Sequence, residues 1–279
     1  MKRIKYYFTG LAALLLLTAS LQAQTLKVME WNILSFEGIN NVAGFNVQPY
    51  VDLIKEHNPD VICFNEFETA TSRMNYVEKL TEVARLLGMY PFFGFSYVKD
   101  VGYYGNGILS KYPYVNTYSS LITKPSGTAD QRSVEYVDIL VPTAQHPEGV
   151  TIRVVCTHLD HQGTANNRRD QARDVKTQTI KDCPYPALLL GDMNQGTTTA
   201  AITAYTGDNA YGGAMDRVCD NTTTYGNSSK LDYFFSYPAG KWTKNSYTVV
   251  KSSGQLSGGL SLNQLSDHYP IVGVVTLNP

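Results

Sequence analysis

The sequence predicts an α/β protein in which one sheet packs on another and helices cover the outside. Nine short apolar runs of strand character recur along the 279 residues, against three stretches of helical spacing. Many strands with few intervening helices favour two stacked sheets. No Pro/Ser-rich linker or low-complexity tract breaks the alternation, so the strands read as one continuous unit.

In order, residues 26–32 read as a strand, and residues 49–57 as a helix with Val51, Ile54 and the aliphatic part of Lys55 near one face. Residues 61–64 form a short apolar strand. Met74, Val77, Leu80, Ala84 and Leu87 recur at helical spacing, with Gly88 as the stop. Further strands are expected at 107–109, 134–141, 150–157, 187–190, 231–236, 246–250 and 271–277. A helix burying Val175 and Ile180 is expected between 167 and 181.

At 43% apolar and 17% charged, the composition excludes a disordered chain, a collagen repeat and a coiled coil. The first 23 residues stand apart. Lys2, Arg3 and Lys5 precede the apolar run Leu11 to Leu17, followed by Thr18-Ala19-Ser20-Leu21-Gln22-Ala23. This is the order of a secretory signal peptide, too short for a permanent bilayer span. Cleavage is expected after Ala23, or after Ser20, which leaves an exported, periplasmic or extracellular chain without a membrane anchor, read as a monomer. Removing the leader leaves 20 basic against 24 acidic residues, a formal charge of −4. Export permits disulfides. Cys63 and Cys156 lie in apolar strands and read as buried thiols, whereas Cys183 and Cys219 lie in loop-like sequence and are the expected bridge. No pair has metal-ligand spacing.

The chemistry lies at the strand ends. Five strands end in Glu30-Trp31-Asn32, Asn65-Glu66, Thr157-His158-Leu159-Asp160-His161, Gly191-Asp192-Met193-Asn194 and Ser266-Asp267-His268, and Leu231-Asp232-Tyr233 puts a carboxylate at a strand start. One Asp or Asn after a strand is ordinarily a turn former. Six such clusters argue for a site built on one rim of the sheets. No G-x-S-x-G elbow is present, which removes a serine hydrolase using Ser133 or Ser266.

These runs together resemble the endonuclease/exonuclease/phosphatase superfamily, the DNase I-like fold. The matching stretches are VMEWNIL (28–34), DVICFNE (60–66), GNGILSKYP (105–113), VVCTHLDH (154–161), LLLGDMN (188–194), LDYFF (231–235) and SDHYPIVGVV (266–275), in the family's order. The resemblance implies a four-layer α/β/β/α sandwich of two mixed sheets flanked by helices, forming a single catalytic domain over residues 24–279. The THLDH form resembles a bacterial, exported subgroup. The implied activity is metal-dependent hydrolysis of a phosphate ester. Such hydrolysis needs positive charge on the phosphoryl oxygens, an oriented water and help for the leaving oxygen.

By that resemblance Glu66, Asn32 and Asp267 would hold Mg²⁺, with Mn²⁺ or Ca²⁺ as substitutes; hard oxygen ligands suit these ions. Asp192 would orient or deprotonate the attacking water, and Asn194 would donate to the phosphoryl oxygens. His268 would stabilise the transition state or move a proton, with Asp232 fixing its tautomer and favouring its charge. His158 matches a second phosphate-facing histidine. Asn106, Asp160, His161 and Arg168 are weaker substrate-binding candidates: Asn106 sits between two glycines as a turn would, and Asp160 and His161 either line the pocket or brace the loop. Of Arg168 and Arg169, adjacent at a helix start, at most one faces the site. Many family nucleases carry a Glu that supports the first histidine; here the corresponding stretch is Asp130-Gln131-Arg132-Ser133, which leaves the support of His158 unassigned.

The fold serves nucleases, phosphoinositide phosphatases, sphingomyelinases and small-ester hydrolases alike. A nonspecific nuclease draws its affinity from Lys and Arg along the groove, and this acidic chain has only the Arg168-Arg169 pair. A small or lipid-derived phosphoester is therefore the favoured substrate, an extracellular nuclease the alternative, and a sphingomyelinase or a catalytically inactive binding module further readings. The aromatics of residues 89–104 offer the apolar surface a sphingomyelinase needs, although packing beside the site is their expected role.

Overall fold

Alternation along the first strand shows how the layers arise. Leu26 and Val28 face one way, into a core shared with Val154, Leu188 and Phe234, whereas Met29 and Trp31 face the other, into a core with Val51, Ile54 and Val83 from two helices. A strand buried on both faces belongs between two layers.

In this computed structural model residues 24–125, 130–142 and 146–278 are described. The elements are β1 (Gln24–Asn32), α1 (Gln48–His57), β2 (Val61–Thr69), α2 (Lys79–Leu87), β3 (Tyr90–Lys99), β4 (Gly102–Ser110), β5 (Tyr114–Leu121), β6 (Ser133–Val141), β7 (Val150–His158), α3 (Ala165–Thr179), β8 (Ala187–Asp192), α4 (Ala200–Gly207), β9 (Asp216–Arg217), β10 (Asp232–Tyr237), β11 (Trp242–Val249), α5 (Leu262–Leu265) and β12 (Ile271–Leu277). They form two six-stranded mixed sheets, β11-β12-β1-β2-β4-β3 and β5-β6-β7-β8-β10-β9. Each is centred on one parallel pair, β1 with β2 and β7 with β8. Helices flank them, as the α/β/β/α sandwich requires. The signal peptide expected at residues 1–23 lies outside the described residues.

Local chemistry sets the helix ends. Pro49 occupies the first turn of α1 and Asn58 closes it in the left-handed conformation. Thr164 and Asn167 form a reciprocal capping box on α3. The helix expected from Met74 begins only at Lys79, because Met74 belongs to a separate 3₁₀ turn over Ser72–Met74. Five elements lacked a sequence signal, namely β3, β5, β9, α4 and α5. The expected Cys183–Cys219 bridge is not formed: all four cysteines are free. The Cys183 thiol donates to the Tyr185 carbonyl at 3.4 Å, while Cys219 is buried beside Arg217 Nε at 3.4 Å, so each sulfur has its own neighbours. The aromatic stretch forms the β3–β4 hairpin, and only part of it packs inward; Tyr104 is buried whereas Phe95 and Tyr103 are exposed.

Between the sheets sits a fully buried carboxyl. Glu135 on β6 lies against the backbone of Gly94 on β3, where a Cβ would stand 2.0 Å from Glu135 Oε2. Burial pushes its carboxyl up to about 8. The unfolded chain ionises this group near 4.5, so its contribution to stability is complete below that pH and is lost as pH rises towards 8. Glu135→Gln removes that loss. Its melting temperature should match wild type near pH 4.5 and exceed it by pH 8, by about 2 kcal/mol or more in unfolding free energy. Equal melting temperatures at both pH values would refute this.

Candidate active site

The carboxyl ends of β1, β7 and β8 meet the mid-strand bulge of β2 at one rim, joined by the start of β10 and the turn before β12. Register brings the last two in: Asp232 pairs with Asp192 across β10 and β8, and Ile271, three residues after His268, pairs with Glu30 on β1.

The strand expected to end at residue 64 runs on to Thr69, so Asn65 stands fully buried in the middle of β2, where it pins the two sheets together. Its Nδ2 donates to the Thr157 carbonyl at 3.1 Å and to Asn106 Oδ1 at 2.8 Å, while its Oδ1 accepts from the Asp192 amide at 2.7 Å. Gly191 permits the close approach of β8 to β7, since a Cβ there would stand 1.9 Å from the Thr157 carbonyl oxygen. The next residue of β2, Glu66, has φ 55° at a bulge where pairing with β4 shifts between Phe64 and Phe67. A bulge re-aims a side chain, and here it turns Glu66 to the rim. Ser35 Oγ donates to the Glu66 carbonyl at 3.1 Å and holds it there.

Asp192 is the centre. Its Oδ2 accepts from Asn32 Nδ2 at 3.2 Å and lies 3.6 Å from Nε2 of both His158 and His268. Its Oδ1 accepts from the Asn194 amide at 2.8 Å across the tight turn in which Asn194 has φ 47°. Burial raises its carboxyl to about 7, with His268 opposing and Asp232 adding to the rise.

His268 Nδ1 meets Asp232 at 2.9 and 3.1 Å. Burial works against its charge, but the carboxylates of Asp232 and Asp192 prevail and push the imidazole up to about 10. Ser266 orients the turn, donating through Oγ to the Asn32 carbonyl at 2.7 Å and accepting from the His268 amide at 3.1 Å. His158 is opposite in character. Burial, then the neighbouring Arg132, His268 and His161, hold it well below the usual imidazole range.

Of the expected metal ligands, Asn32 and Glu66 lie together, Asn32 Nδ2 donating to Glu66 Oε1 at 3.0 Å. Asp267 is half-buried on the far side of Ser266, where its carbonyl accepts from Gly226, and it lines a neighbouring pocket. Asn32 donates to the carboxylates of both Glu66 and Asp192 and so gathers two hard oxygen donors beside each other, which fits a hard divalent ion. Asp192, Asp232 and His268 also form a buried group compact enough for a metal, their ligand atoms within 4.8 Å of one another. His268, however, commits Nδ1 to Asp232 and is held cationic, so this group reads as the proton-handling set.

The weaker candidates fall into supporting places. Asn106 is buried in the floor, with Nδ2 3.4 Å from Ser133 Oγ. Asp160 is fully buried and accepts from the Gly163 amide at 2.6 Å, and Arg168 donates to the carbonyls of Asp160 and His161 at 2.9 and 3.2 Å, so both brace the loop. Arg169 pairs with Asp170. His161 is exposed, its Nδ1 3.2 Å from Arg132 Nη2.

Four contributors escaped sequence reasoning. Asn65, Ser266 and Glu30 stood inside recognised clusters without an assigned role, Ser266 being weighed only as a nucleophile. Arg132 departs from the family pattern, and that departure was the only signal. Glu30 is fully buried on β1, and neither carboxylate oxygen has a hydrogen-bond partner among the described residues. Burial, then Asp232 and Asp192, raise its carboxyl well above the usual range.

Carboxylates, carboxamides and two histidines on one rim of two stacked mixed sheets define a phosphoester hydrolase of the nuclease and phosphatase class. The chain belongs to the Endonuclease/Exonuclease/phosphatase family, whose model matches residues 29–268. No curated protein matches it significantly. Among solved structures it is similar to an endonuclease/exonuclease/phosphatase family protein from Bacteroides thetaiotaomicron, with 17% identity over 93% of this chain and 97% of that one and a TM-score of 0.71. It is similar also to a mannosyl-6-phosphatase from the same organism, with 17% identity over 90% of this chain and 100% of that one and a TM-score of 0.68. TDP2 of D. rerio complexed with single strand DNA product shares 19% identity over 91% of this chain and 99% of that one, with a TM-score of 0.63. At these identities the likeness is one of fold.

Proposed function

We propose that the protein is an exported, Mg²⁺-dependent phosphoesterase that hydrolyses a small or lipid-derived phosphate ester by attack of water. The position of Asp192 Oδ2, 3.6 Å from each histidine Nε2 and 3.2 Å from the Asn32 amide, carries the reading: one carboxylate oxygen stands between two histidines and the carboxamide that also holds Glu66. Mg²⁺ held by Glu66 and Asn32 would supply positive charge against the phosphoryl oxygens. Ionised Asp192 accepts a proton of the attacking water and aims it. Cationic His268 donates from Nε2 to the developing negative charge, with Asp232 holding the ring. Asn194 and His158 face the remaining phosphoryl oxygens.

A small ester is favoured by the pocket beside His268. It encloses about 330 Å³ and is lined by Tyr225, Asp267, Asn263 and Tyr269 with no Lys or Arg. The Tyr225 ring, 39% exposed, lies 5.0 Å from the His268 ring. An aromatic face with an acid and an amide suits a neutral, hydroxyl-bearing group, whereas a polyanion calls for cations. The mannosyl-6-phosphatase among the structural neighbours agrees with this. The lipid-derived reading is supported by the β3–β4 hairpin, which exposes Phe95, Val98, Val101 and Tyr103.

The test is a panel of sugar phosphates, phosphoinositides, sphingomyelin, RNA and plasmid DNA, each with Mg²⁺ and with EDTA. Hydrolysis of a small or lipid phosphoester that stops in EDTA and returns with Mg²⁺ is expected. Plasmid cleavage that weakens steeply with salt would replace the reading by the nuclease, turnover that persists in EDTA would remove the metal, and no turnover on any substrate would make the chain a binding module.

A further inference from the structure

His158 is supported by a cation where a carboxylate would be the ordinary partner. Arg132, immediately before β6 and buried, places Nη1 3.0 Å from His158 Nδ1 and Nη2 3.2 Å from His161 Nδ1. A guanidinium has donors only, in any rotamer. His158 Nδ1 must therefore present its lone pair, and the single proton of a neutral ring falls on Nε2. At the other edge, Asn194 Nδ2 lies 2.9 Å from Nε2 and 3.0 Å from the Leu159 carbonyl. Both ring nitrogens thus face donors, and one must yield. Turning the Asn194 carboxamide would set its oxygen against the Leu159 carbonyl, so it keeps its orientation. Nε2, however, also lies 3.6 Å from Asp192 Oδ2, which accepts, whereas the partner of Nδ1 is the guanidinium, and a charge-assisted hydrogen bond is about twice as strong as a neutral one. The proton therefore falls on Nε2, directed towards Asp192, and the Asn194 contact yields.

We propose that Arg132 is a positioning residue that fixes His158 as the neutral tautomer protonated at Nε2, so that this ring donates a hydrogen bond to a phosphoryl oxygen and neither takes up nor releases a proton during hydrolysis. The two histidines that flank Asp192 then divide the work by the sign of their partners. Asp232 makes His268 the charged group, and Arg132 makes His158 the fixed dipole. The other titratable groups facing His158 act in the same sense: His161 from its own loop and cationic His268 from the turn before β12 both oppose a second positive charge, and only Asp192 favours one. The catalytic half of this proposal rests on the phosphoesterase reading; the tautomer does not.

The test is nitrogen NMR of the full protein carrying ¹⁵N-histidine, with the His158 signals assigned by their loss in His158→Gln. Wild type should show two widely separated ring nitrogens with the proton on Nε2, unchanged from about pH 5 to pH 9. A proton on Nδ1, or a doubly protonated ring near neutral pH, overturns the proposal. This measurement needs no substrate, so it stands or falls apart from the phosphoesterase reading. Arg132→Met should mix the two tautomers and lower kcat about 10-fold or more with KM little changed, and Arg132→Lys, which keeps a cationic donor, should restore both the spectrum and much of kcat. A wild-type spectrum in Arg132→Met would equally overturn the role of the arginine.

Discussion

Asp192→Asn should lower kcat by roughly 100- to 10,000-fold, the range general-base groups contribute, while leaving the fold intact or more stable. The amide can keep the hydrogen bond from the Asn194 amide at 2.8 Å. It also removes a buried charge that is costly enough to raise the carboxyl to about 7. Loss of activity with an unchanged or higher melting temperature is the signature of a group retained for chemistry at the expense of stability. A variant that keeps more than about one tenth of kcat would remove Asp192 from the base role. The acid limb of kcat/KM in the wild type should fall below pH 7 when Mg²⁺ is bound, because a cation beside the Asn32–Glu66 pair favours the ionised form.

Asp232→Asn should act on the other limb. His268 stays charged up to about pH 10 because Asp232, then Asp192, outweigh its burial. With Asp232 neutral, burial regains weight and the ring titrates at far lower pH. The basic limb of kcat/KM should move down by several pH units, and at pH 8 activity should fall about 100-fold, as expected for loss of an acid. The same linkage governs stability. The folded ring is held above its ordinary 6.5, so its contribution is complete below that pH and is lost as pH rises through about 10. Asp232→Asn should flatten that alkaline loss in a series of urea melts. An unmoved basic limb would reassign the proton chemistry to another group.

The elements that carry the site were legible because they obey two strong rules together. β1 and β8 are apolar runs that end in polar residues, Asn32 and Asp192, at the rim, and β2 turns polar at Asn65 and Glu66 where its bulge crosses that rim before the strand runs on to Thr69. The edge strands were not legible. β5 has five of its eight residues exposed and a polar centre of Asn116, Thr117, Ser119 and Ser120, and β3 is interrupted by Pro91 and Gly94. α4, Ala200–Gly207, has no apolar stripe of its own, since Ala201, Ile202, Ala204 and Tyr205 bury most of its surface. In the site, Asn32, Glu66, Asp192, Asn194, Asp232, His158 and His268 stand together as their strand-end placement suggested. Asn106, Asp160 and Arg168 serve the scaffold. Whether a buried polar residue holds a ligand or holds a loop depends on which backbone groups fall within 3 Å, and spacing along the chain carries no record of that. Arg132 is the sharpest case: its meaning rests on a histidine 26 residues away, on the neighbouring strand.

Asn65 gives the site a mechanical character. Asn32, Glu66 and the His268 turn ride with one sheet, whereas His158, Asp192, Asn194 and Asp232 ride with the other, and the Asn65 carboxamide clamps the two across the gap beside the Asn32–Asp192 and His268–Asp232 contacts. The catalytic centre is therefore a seam, assembled only when the two layers are in step. A misplacement of about 1 Å at such a centre costs on the order of 100-fold in rate, far less motion than is needed to melt either layer. Turnover in this protein is a gauge of shear between its two halves, and it should fail while both sheets are still whole.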